Sequence, residues 1–364
     1  MTRALGAAVE RAWTADDAGS RLLRALLVPA AAAYGAAVAV RNAAYDRGLL
    51  AVARVPALVV SVGNLSVGGT GKTPAALWLA ERLAARGRRV AIVARGYRKR
   101  RRGVVVVGTG AGPLVDPDDG GDEAVMLARR FAGPVVAAER RADAAAHACR
   151  AFGCDAIVLD DGFQHRALHR DADLVLVAGD PRALRLLPAG PLREPAVALR
   201  RARAVLLLDG TPAGARPGGA VGAAWPPTFR GRIVPRALVR PQGAAWIEEG
   251  LGSLAGVAVV AVAGVARPER FLASLAACGA RVTRHLRFPD HHRYGAEDVR
   301  AIAAAAREAP LVTTEKDLVK LERHGALSGL RALRVALEVD DGEALVADLV
   351  AAWQPDGQVA SRAV

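Results

Sequence analysis

Leu58-Val-Val-Ser-Val-Gly-Asn-Leu-Ser-Val-Gly-Gly-Thr-Gly-Lys-Thr-Pro74 decides the fold. Leu58 to Gly63 is a short, apolar, β-branched run, the pattern of a strand buried on both faces of a parallel sheet. Pro74 to Arg86 then has helical periodicity, and Pro74 stands where a first-turn proline is tolerated. Between them lies Gly68-Gly-Thr-Gly-Lys-Thr73. Strand, glycine-rich turn and helix in that order make a phosphate loop. Glycines let successive backbone N–H groups converge on phosphate oxygens, and the helix N-terminus adds a positive dipole end. Lys72 can reach the β- and γ-phosphates, and the Thr73 hydroxyl can ligate Mg²⁺. The residues expected to cradle the nucleotide are Ser66, Val67, Gly68, Gly69, Thr70, Gly71, Lys72 and Thr73. The strict pattern GxxxxGK[ST] asks for Gly at position 66, where this chain has Ser66. The strand–loop–helix context carries the reading regardless.

Outward from the loop, Arg89 to Ala94, Gly133 to Ala137, Ala156 to Leu159, Leu174 to Val177 and Val205 to Leu208 read as further buried strands. Helical stretches such as Glu123 to Phe131 and Arg141 to Phe152 lie between several of them. Strands alternating with helices imply βαβ units and a mostly parallel sheet with helices on both faces. Thr211 to Pro227, rich in Gly, Pro and Ala, reads as a linker, and Phe229 to Val239 as a strand pair or ribbon. A second α/β region follows, with strands at Val257 to Ala263 and Pro310 to Thr314 and a helix at Pro268 to Cys278. The expected organisation is an N-terminal helix and P-loop domain over residues 1–222, a β-ribbon linker over 223–252 and a smaller α/β domain over 253–364.

Ala156-Ile-Val-Leu-Asp-Asp161 is an apolar strand ending in two carboxylates, the form of a Walker B element, so Mg²⁺ is expected between Thr73 and Asp160 or Asp161. Asp122, before an Ala-rich helix, reads from the sequence as a helix N-cap. A zinc site from His285, His291 and His292 has no supporting Cys or Asp spacing. Val67 stands where partitioning-type ATPases carry a second lysine, which argues against that nucleotide-switch class.

The 364 residues are 52% hydrophobic, enough for one large or two medium domains. Gln354 to Val364 reads as a frayed tail. The formal net charge is +14, yet aromatics are only 4% and no base-reading motif occurs, so a nucleic-acid partner is not expected. A phosphorylated substrate or an anionic membrane suits the charge as well. Three cysteines without a CxxC argue against a disulfide framework. The apolar run Ala25 to Val40 would reach roughly 24 Å as a helix, short of a ~30 Å hydrocarbon core. It fits a buried helix of a soluble domain or a helix lying in the membrane interface.

The chain resembles the tetraacyldisaccharide 4′-kinase family, the lipid A 4′-kinases. The supporting strings are Val62 to Pro74, Arg95-Gly-Tyr97, Gly121-Asp-Glu123, Asp160-Asp-Gly-Phe-Gln-His-Arg166, Leu187-Pro-Ala-Gly-Pro-Leu-Arg-Glu-Pro195, Ala263-Gly-Val-Ala-Arg-Pro268, Phe288-Pro-Asp-His291 and Thr313-Thr-Glu-Lys-Asp317. The resemblance implies transfer of the ATP γ-phosphoryl to the 4′-hydroxyl of an acylated glucosamine disaccharide 1-phosphate. It implies Asp122 as base, His291 as its partner and Lys72 as the phosphate-binding cation, with His292 the rival of His291. It also implies a peripheral or monotopic place at the cytoplasmic face of the inner membrane; no obligate protein partner is inferred from the sequence. Arg193 and Glu194 are expected near the phosphates, Arg98 to Arg102 as a solvated loop or else at head groups or the 1-phosphate, and Lys316 in either a structural or a functional role. The alternatives are a membrane-associated P-loop ATPase switch without kinase activity and a soluble small-molecule kinase or dethiobiotin-synthetase-like ligase.

Overall fold

The computed structural model describes residues 9–13, 15–181, 184–209, 226–243, 245–325, 327 and 329–353. Most of the expected linker at Thr211 to Pro227, and the tail from Gln354, lie outside the described residues.

The chain builds one continuous, mostly parallel sheet. Its strands are β1 (Leu58–Asn64), β2 (Val90–Ala94), β3 (Val105–Thr109), β4 (Pro134–Ala137), β5 (Ala156–Asp160), β6 (Ala172–Val177), β7 (Ala204–Leu208), β8 (Thr228–Gln242), β9 (Ala245–Glu249), β10 (Ala258–Ala263), β11 (Arg281–Arg287), β12 (Leu311–Thr314) and β13 (Arg331–Val339). Their order is β11-β10-β12-β13-β8-β7-β6-β1-β5-β2-β4-β3, with β9 hairpinned onto β8. The helices are α1 (Ala18–Leu26), α2 (Val28–Asp46), α3 (Lys72–Ala85), α4 (Asp122–Arg130), α5 (Arg141–Phe152), α6 (Pro268–Ala277), α7 (Ala296–Ala305), α8 (Glu315–Leu321) and α9 (Gly342–Ala351).

All seven residues of β1 are buried, because successive side chains point to opposite faces and both faces are covered. Leu58, Val60 and Val62 join the core beneath α3, α4 and α9, while Val59 packs with Ala144, Ala145 and Ala148 of α5. Each such side chain contributes roughly 1.5–3 kcal/mol on burial. The second half repeats the arrangement. Val260 and Val262 face α7 and α8, and Val259 and Ala261 face α6. β8 joins the halves: Thr228 to Gly231 pairs in parallel with β7, and Gly231 to Val239 pairs antiparallel with β13.

Three strands, β3, β11 and β13, lie outside the runs read as strands. β11 is a sheet edge with the sequence Arg-Val-Thr-Arg-His-Leu-Arg and no buried residue, so it needs no continuous apolar run. β13 mixes buried and half-buried positions without strict alternation. The expected N-terminal helix is broken. Pro29 sits in the first turn of α2, and the two helices bend by 45°. No single helix among the described residues is long and apolar enough to cross a membrane, although the bent pair reaches that length and composition together.

Two close approaches at the C-terminal ends of the strands place the site. Val62 of β1 is level with Asp160 of β5, so the loop after β1 and the two carboxylates share one rim of the sheet. Gly63 lies against Phe163: a Cβ there would overlap the Phe163 Cβ and stand 2.9 Å from the Phe163 backbone nitrogen. Gly63→Ala is therefore expected to destabilise the protein by roughly 1–3 kcal/mol, read as a lower denaturant midpoint. An unchanged midpoint would show that the Asp161 to Phe163 turn can retreat without cost.

Candidate active site

The glycine loop runs from β1 into α3. Gly68 and Gly71 have φ of 101° and 87°, conformations that side chains with a Cβ rarely adopt. Gly71 is the N-cap of α3, so Lys72 and Thr73 open the helix. Asn64 donates from Nδ2 to the Thr70 hydroxyl at 2.7 Å, and Val67 N–H donates to the Pro191 carbonyl at 2.8 Å, while Ser66 forms an isolated bridge with Leu192. The Lys72 ammonium lies 3.5 Å from the Gly68 carbonyl and 3.7 Å from Asp161.

The two carboxylates at the end of β5 have different partners. Asp160 Oδ2 accepts from the Thr73 hydroxyl at 3.2 Å, and its Oδ1 is buried without a hydrogen-bond partner among the described residues. Burial pushes this carboxyl up, and the negative charges of Glu123 and Asp161 push it further. Asp161, with φ of 54°, takes Arg193 Nη1 on both oxygens at 2.8 and 2.9 Å. Burial opposes its ionisation, but Lys72 and Arg193 hold it below the ordinary carboxylate range.

Asp122 and His291, 169 residues apart, meet: His291 Nδ1 stands 3.1 and 3.0 Å from the two Asp122 oxygens. Gly121, not Asp122, is the N-cap of α4, and the helix has no side-chain cap. Asp122 lies one residue inside the helix, so the N-cap reading is corrected. Its Oδ1 accepts from the Glu123 N–H at 2.9 Å, and a carboxylate in the first turn suits the helix dipole. Burial alone would raise the Asp122 carboxyl. The hydrogen bond from His291 and the charges of Lys316 and Lys320 outweigh that and hold it at about 2. His292, the rival by one position, instead pairs with Asp298 at 2.9 Å. His285 lies on β11, and among the described residues no three His, Cys, Asp or Glu side chains converge as metal ligands.

The only non-glycine residues with positive φ among those described are Arg98, Asp161 and His291, all at this site. Such backbone costs about 1–3 kcal/mol each and persists where the surroundings over-determine it. The surroundings are visible. Arg98 donates to the His291 carbonyl at 3.3 Å, and the Tyr97 ring packs 4.7 Å from the His291 ring. Lys316 reaches Glu123 at 3.1 Å, Asp290 at 3.0 Å and His291 Nε2 at 3.1 Å. In the run Arg98 to Arg102, Lys99 pairs with Glu139 at 2.7 Å and Arg100 with Asp119 at 3.1 Å, so these two cations are engaged within the protein.

Glu194 is buried and binds Arg201 and Asn42, so it braces α2 against the loop that carries Arg193. Tyr34 of α2 donates to the Arg193 carbonyl at 2.9 Å. Arg141 is a residue the motifs did not single out. It opens α5, where a cation runs against the helix dipole, and it is 7% exposed. Burial and the neighbouring Arg95 push its guanidinium down to about 10, while Asp161 and Asp160 act the other way. A buried arginine at a helix start was the available signal.

Three comparisons bear on this geometry. The family model described as Tetraacyldisaccharide-1-P 4′-kinase matches residues 23–354. A tetraacyldisaccharide 4′-kinase of Anaeromyxobacter dehalogenans (strain 2CP-C) is 46% identical over 352 residues, covering 91% of each chain. One from Halorhodospira halophila is 40% identical over 339 residues, covering 90% of this chain and 91% of that one. A solved structure described as an "apo" form of LpxK from Aquifex aeolicus in complex with ATP superposes with a TM-score of 0.75 at 32% identity, covering 91% of this chain and all of that one. With its matched length, its glycine loop and its carboxylate strand end in the same fold, the chain belongs to the tetraacyldisaccharide-1-phosphate 4′-kinase family.

Proposed function

We propose that the protein transfers the γ-phosphoryl group of ATP to the 4′-hydroxyl of tetraacyldisaccharide 1-phosphate in lipid A biosynthesis. The observation that carries the reading is the Asp122–His291 contact, which joins a buried carboxylate of the first half to a histidine of the second. It supports a site that activates a hydroxyl beside a nucleotide loop.

In this reading the loop from Ser66 to Thr73 wraps the phosphates with backbone N–H groups, and Lys72 meets the β- and γ-oxygens. Arg141 and Arg193 add positive charge on the Asp161 side. Asp122 accepts the proton of the sugar hydroxyl. A carboxylate held at about 2 is a weak base, which suits phosphoryl transfer. Its transition state is loose, and orienting the nucleophile outweighs early proton removal. His291 keeps Asp122 in place.

The donor set fits Mg²⁺. Asp160 offers a buried oxygen, without a hydrogen-bond partner among the described residues, beside the Thr73 hydroxyl, and its raised carboxyl marks a place where a cation is favourable. Thr73 and Asp160 would hold the ion, whereas Asp161 is engaged by Arg193 and Lys72. When bound, Mg²⁺ would neutralise charge on the phosphate oxygens.

The test is transfer of label from γ-labelled ATP to tetraacyl disaccharide 1-phosphate in detergent micelles. Labelled lipid is expected. Protein that binds ATP and yields none would overturn the reading.

We place the N-terminal helices at the cytoplasmic face of the inner membrane, the side that holds ATP. Leu22 and Leu26 are 62% and 68% exposed on α1, with Val28 and Val40 exposed on α2. Exposed apolar side chains on a helix pair among arginines fit an interfacial surface. Leu22→Glu with Leu26→Glu is expected to lower partitioning onto anionic vesicles at least roughly tenfold while leaving the thermal midpoint in place. Unchanged partitioning would move the membrane surface elsewhere.

A further inference from the structure

Lys316 lies in the first turn of α8, behind His291. Its side chain is 14% exposed. An ammonium has three N–H donors and no acceptor. Here the three face Asp290 Oδ1 at 3.0 Å, Glu123 Oε1 at 3.1 Å and His291 Nε2 at 3.1 Å. Burial would favour the neutral amine, but the carboxylates of Glu123, Asp122 and Asp290 raise this group above the ordinary lysine range.

The imidazole is therefore held between a donor and an acceptor. On its Nδ1 side stands the Asp122 carboxylate, which can only accept. On its Nε2 side stands the Lys316 ammonium at 3.1 Å, which can only donate, while Asp290 Oδ2 at 3.8 Å lies beyond hydrogen-bond reach. A neutral ring with the proton on Nε2 would set donor against donor at one end and lone pair against lone pair at the other. An imidazolium would direct an N–H at an N–H and add a like charge 3.1 Å away. Only the neutral ring with its proton on Nδ1 satisfies both contacts.

We infer that Lys316 is a positioning residue that fixes His291 as the neutral Nδ1–H tautomer, so that the ring donates to Asp122 and leaves that carboxylate as the sole proton acceptor of the pair. The inference rests on the reading of Asp122 as the base. It makes His291 an orienting group rather than a proton carrier. It also joins the nucleotide side to the dyad, because Glu123, which binds Lys316, is the residue after Asp122. Of the charged groups around the ring, Asp122, Lys316 and Asp290 contact it directly, Arg98 holds its carbonyl, and Glu123 and Lys320 stand one contact behind, on Lys316 and Asp122.

The test is ¹⁵N-histidine NMR on the full-length protein in micelles, without lipid substrate, so that failure of lipid transfer leaves the readout standing. His291→Asn identifies the resonances. Wild type is expected to show a protonated Nδ1 and an unprotonated Nε2 at neutral pH. In Lys316→Met the ring should keep its Nδ1 proton, which still faces Asp122, and take up a second proton on Nε2 as pH falls. Its kcat should drop roughly 100-fold, with the KM for ATP unchanged and a new acid limb in the kcat profile. Lys316→Arg, again a pure donor, should keep the wild-type tautomer. An imidazolium or an Nε2–H ring in wild type at neutral pH overturns the inference even if Lys316→Met fails to fold. A folded Lys316→Met with the wild-type ring protonation and pH profile also overturns it and leaves Lys316 a structural ion pair.

Discussion

Lys72→Ala is expected to slow transfer of label from ATP to the lipid by roughly 100- to 1,000-fold. Lys72 opens α3 immediately after the left-handed Gly71, so the direction of its side chain is set by the loop. Its ammonium rests near Gly68 and Asp161, contacts long enough to be exchanged for phosphate oxygens. A preorganised charge aimed at a developing anion is worth roughly 3–4 kcal/mol. The variant also leaves Asp161 with Arg193 as its remaining close cation. The fold should survive, because the polar contacts of Lys72, with Gly68 and Asp161, are long and helix α3 is anchored by Leu77, Leu79 and Leu83. Initial rates of lipid labelling, with the thermal midpoint as control, decide the matter. A rate within about threefold of wild type would remove Lys72 from the transfer machinery.

Asp122→Asn should lower kcat by roughly 100- to 10,000-fold while the KM for ATP stays near its wild-type value. The amide keeps the shape of the side chain but cannot accept the hydroxyl proton. The effect should therefore fall on the chemical step and not on nucleotide binding. The same substitution has a signature in stability. The Asp122 carboxyl is lowered from the ordinary 3.8 to about 2, and a lowered carboxyl stabilises the fold above its unfolded value. That contribution is present above about pH 4 and is lost as pH falls through about 2. The shift corresponds to roughly 2 kcal/mol. Urea unfolding of wild type and Asp122→Asn should therefore differ at neutral pH and converge near about pH 2. Full transfer by Asp122→Asn would send the search for the base to the other carboxylates of the site.

The nucleotide half of the site is a local device, and it was legible for that reason. Strand β1, its glycine turn, Lys72 and Thr73 are contiguous, and the Asp160 and Asp161 strand end announces itself by four apolar residues before two acids. The pattern of glycines could be read without the fold because each acts on its own φ and on the atoms next to it. The N-terminal apolar run was also visible, but its break was not. Pro29 can begin a helix as readily as interrupt one, and the bend depends on α2 being tied through Tyr34 and Asn42 to the Arg193–Glu194 loop.

Asp122 shows where local pattern stops. An aspartate before an alanine-rich helix has the same sequence signature whether it caps the helix or serves as a base, because both uses place a carboxylate at a helix start. Gly121 takes the cap, and a histidine from the far half of the chain takes the carboxylate. Edge strand β11 and half-buried β13 were hidden for a related reason: a strand that buries no complete face carries no apolar period to read. By itself, then, the sequence determined the parallel sheet, the nucleotide loop, the carboxylate strand end and, through its motifs, the family. Only the tertiary structure decided which carboxylate is left open beside Thr73, that His291 rather than His292 meets Asp122, and that Lys316 closes the row behind it. Those contacts join residues from opposite halves of one sheet. Side-chain direction across such distances is set by packing, which no stretch of chain encodes alone.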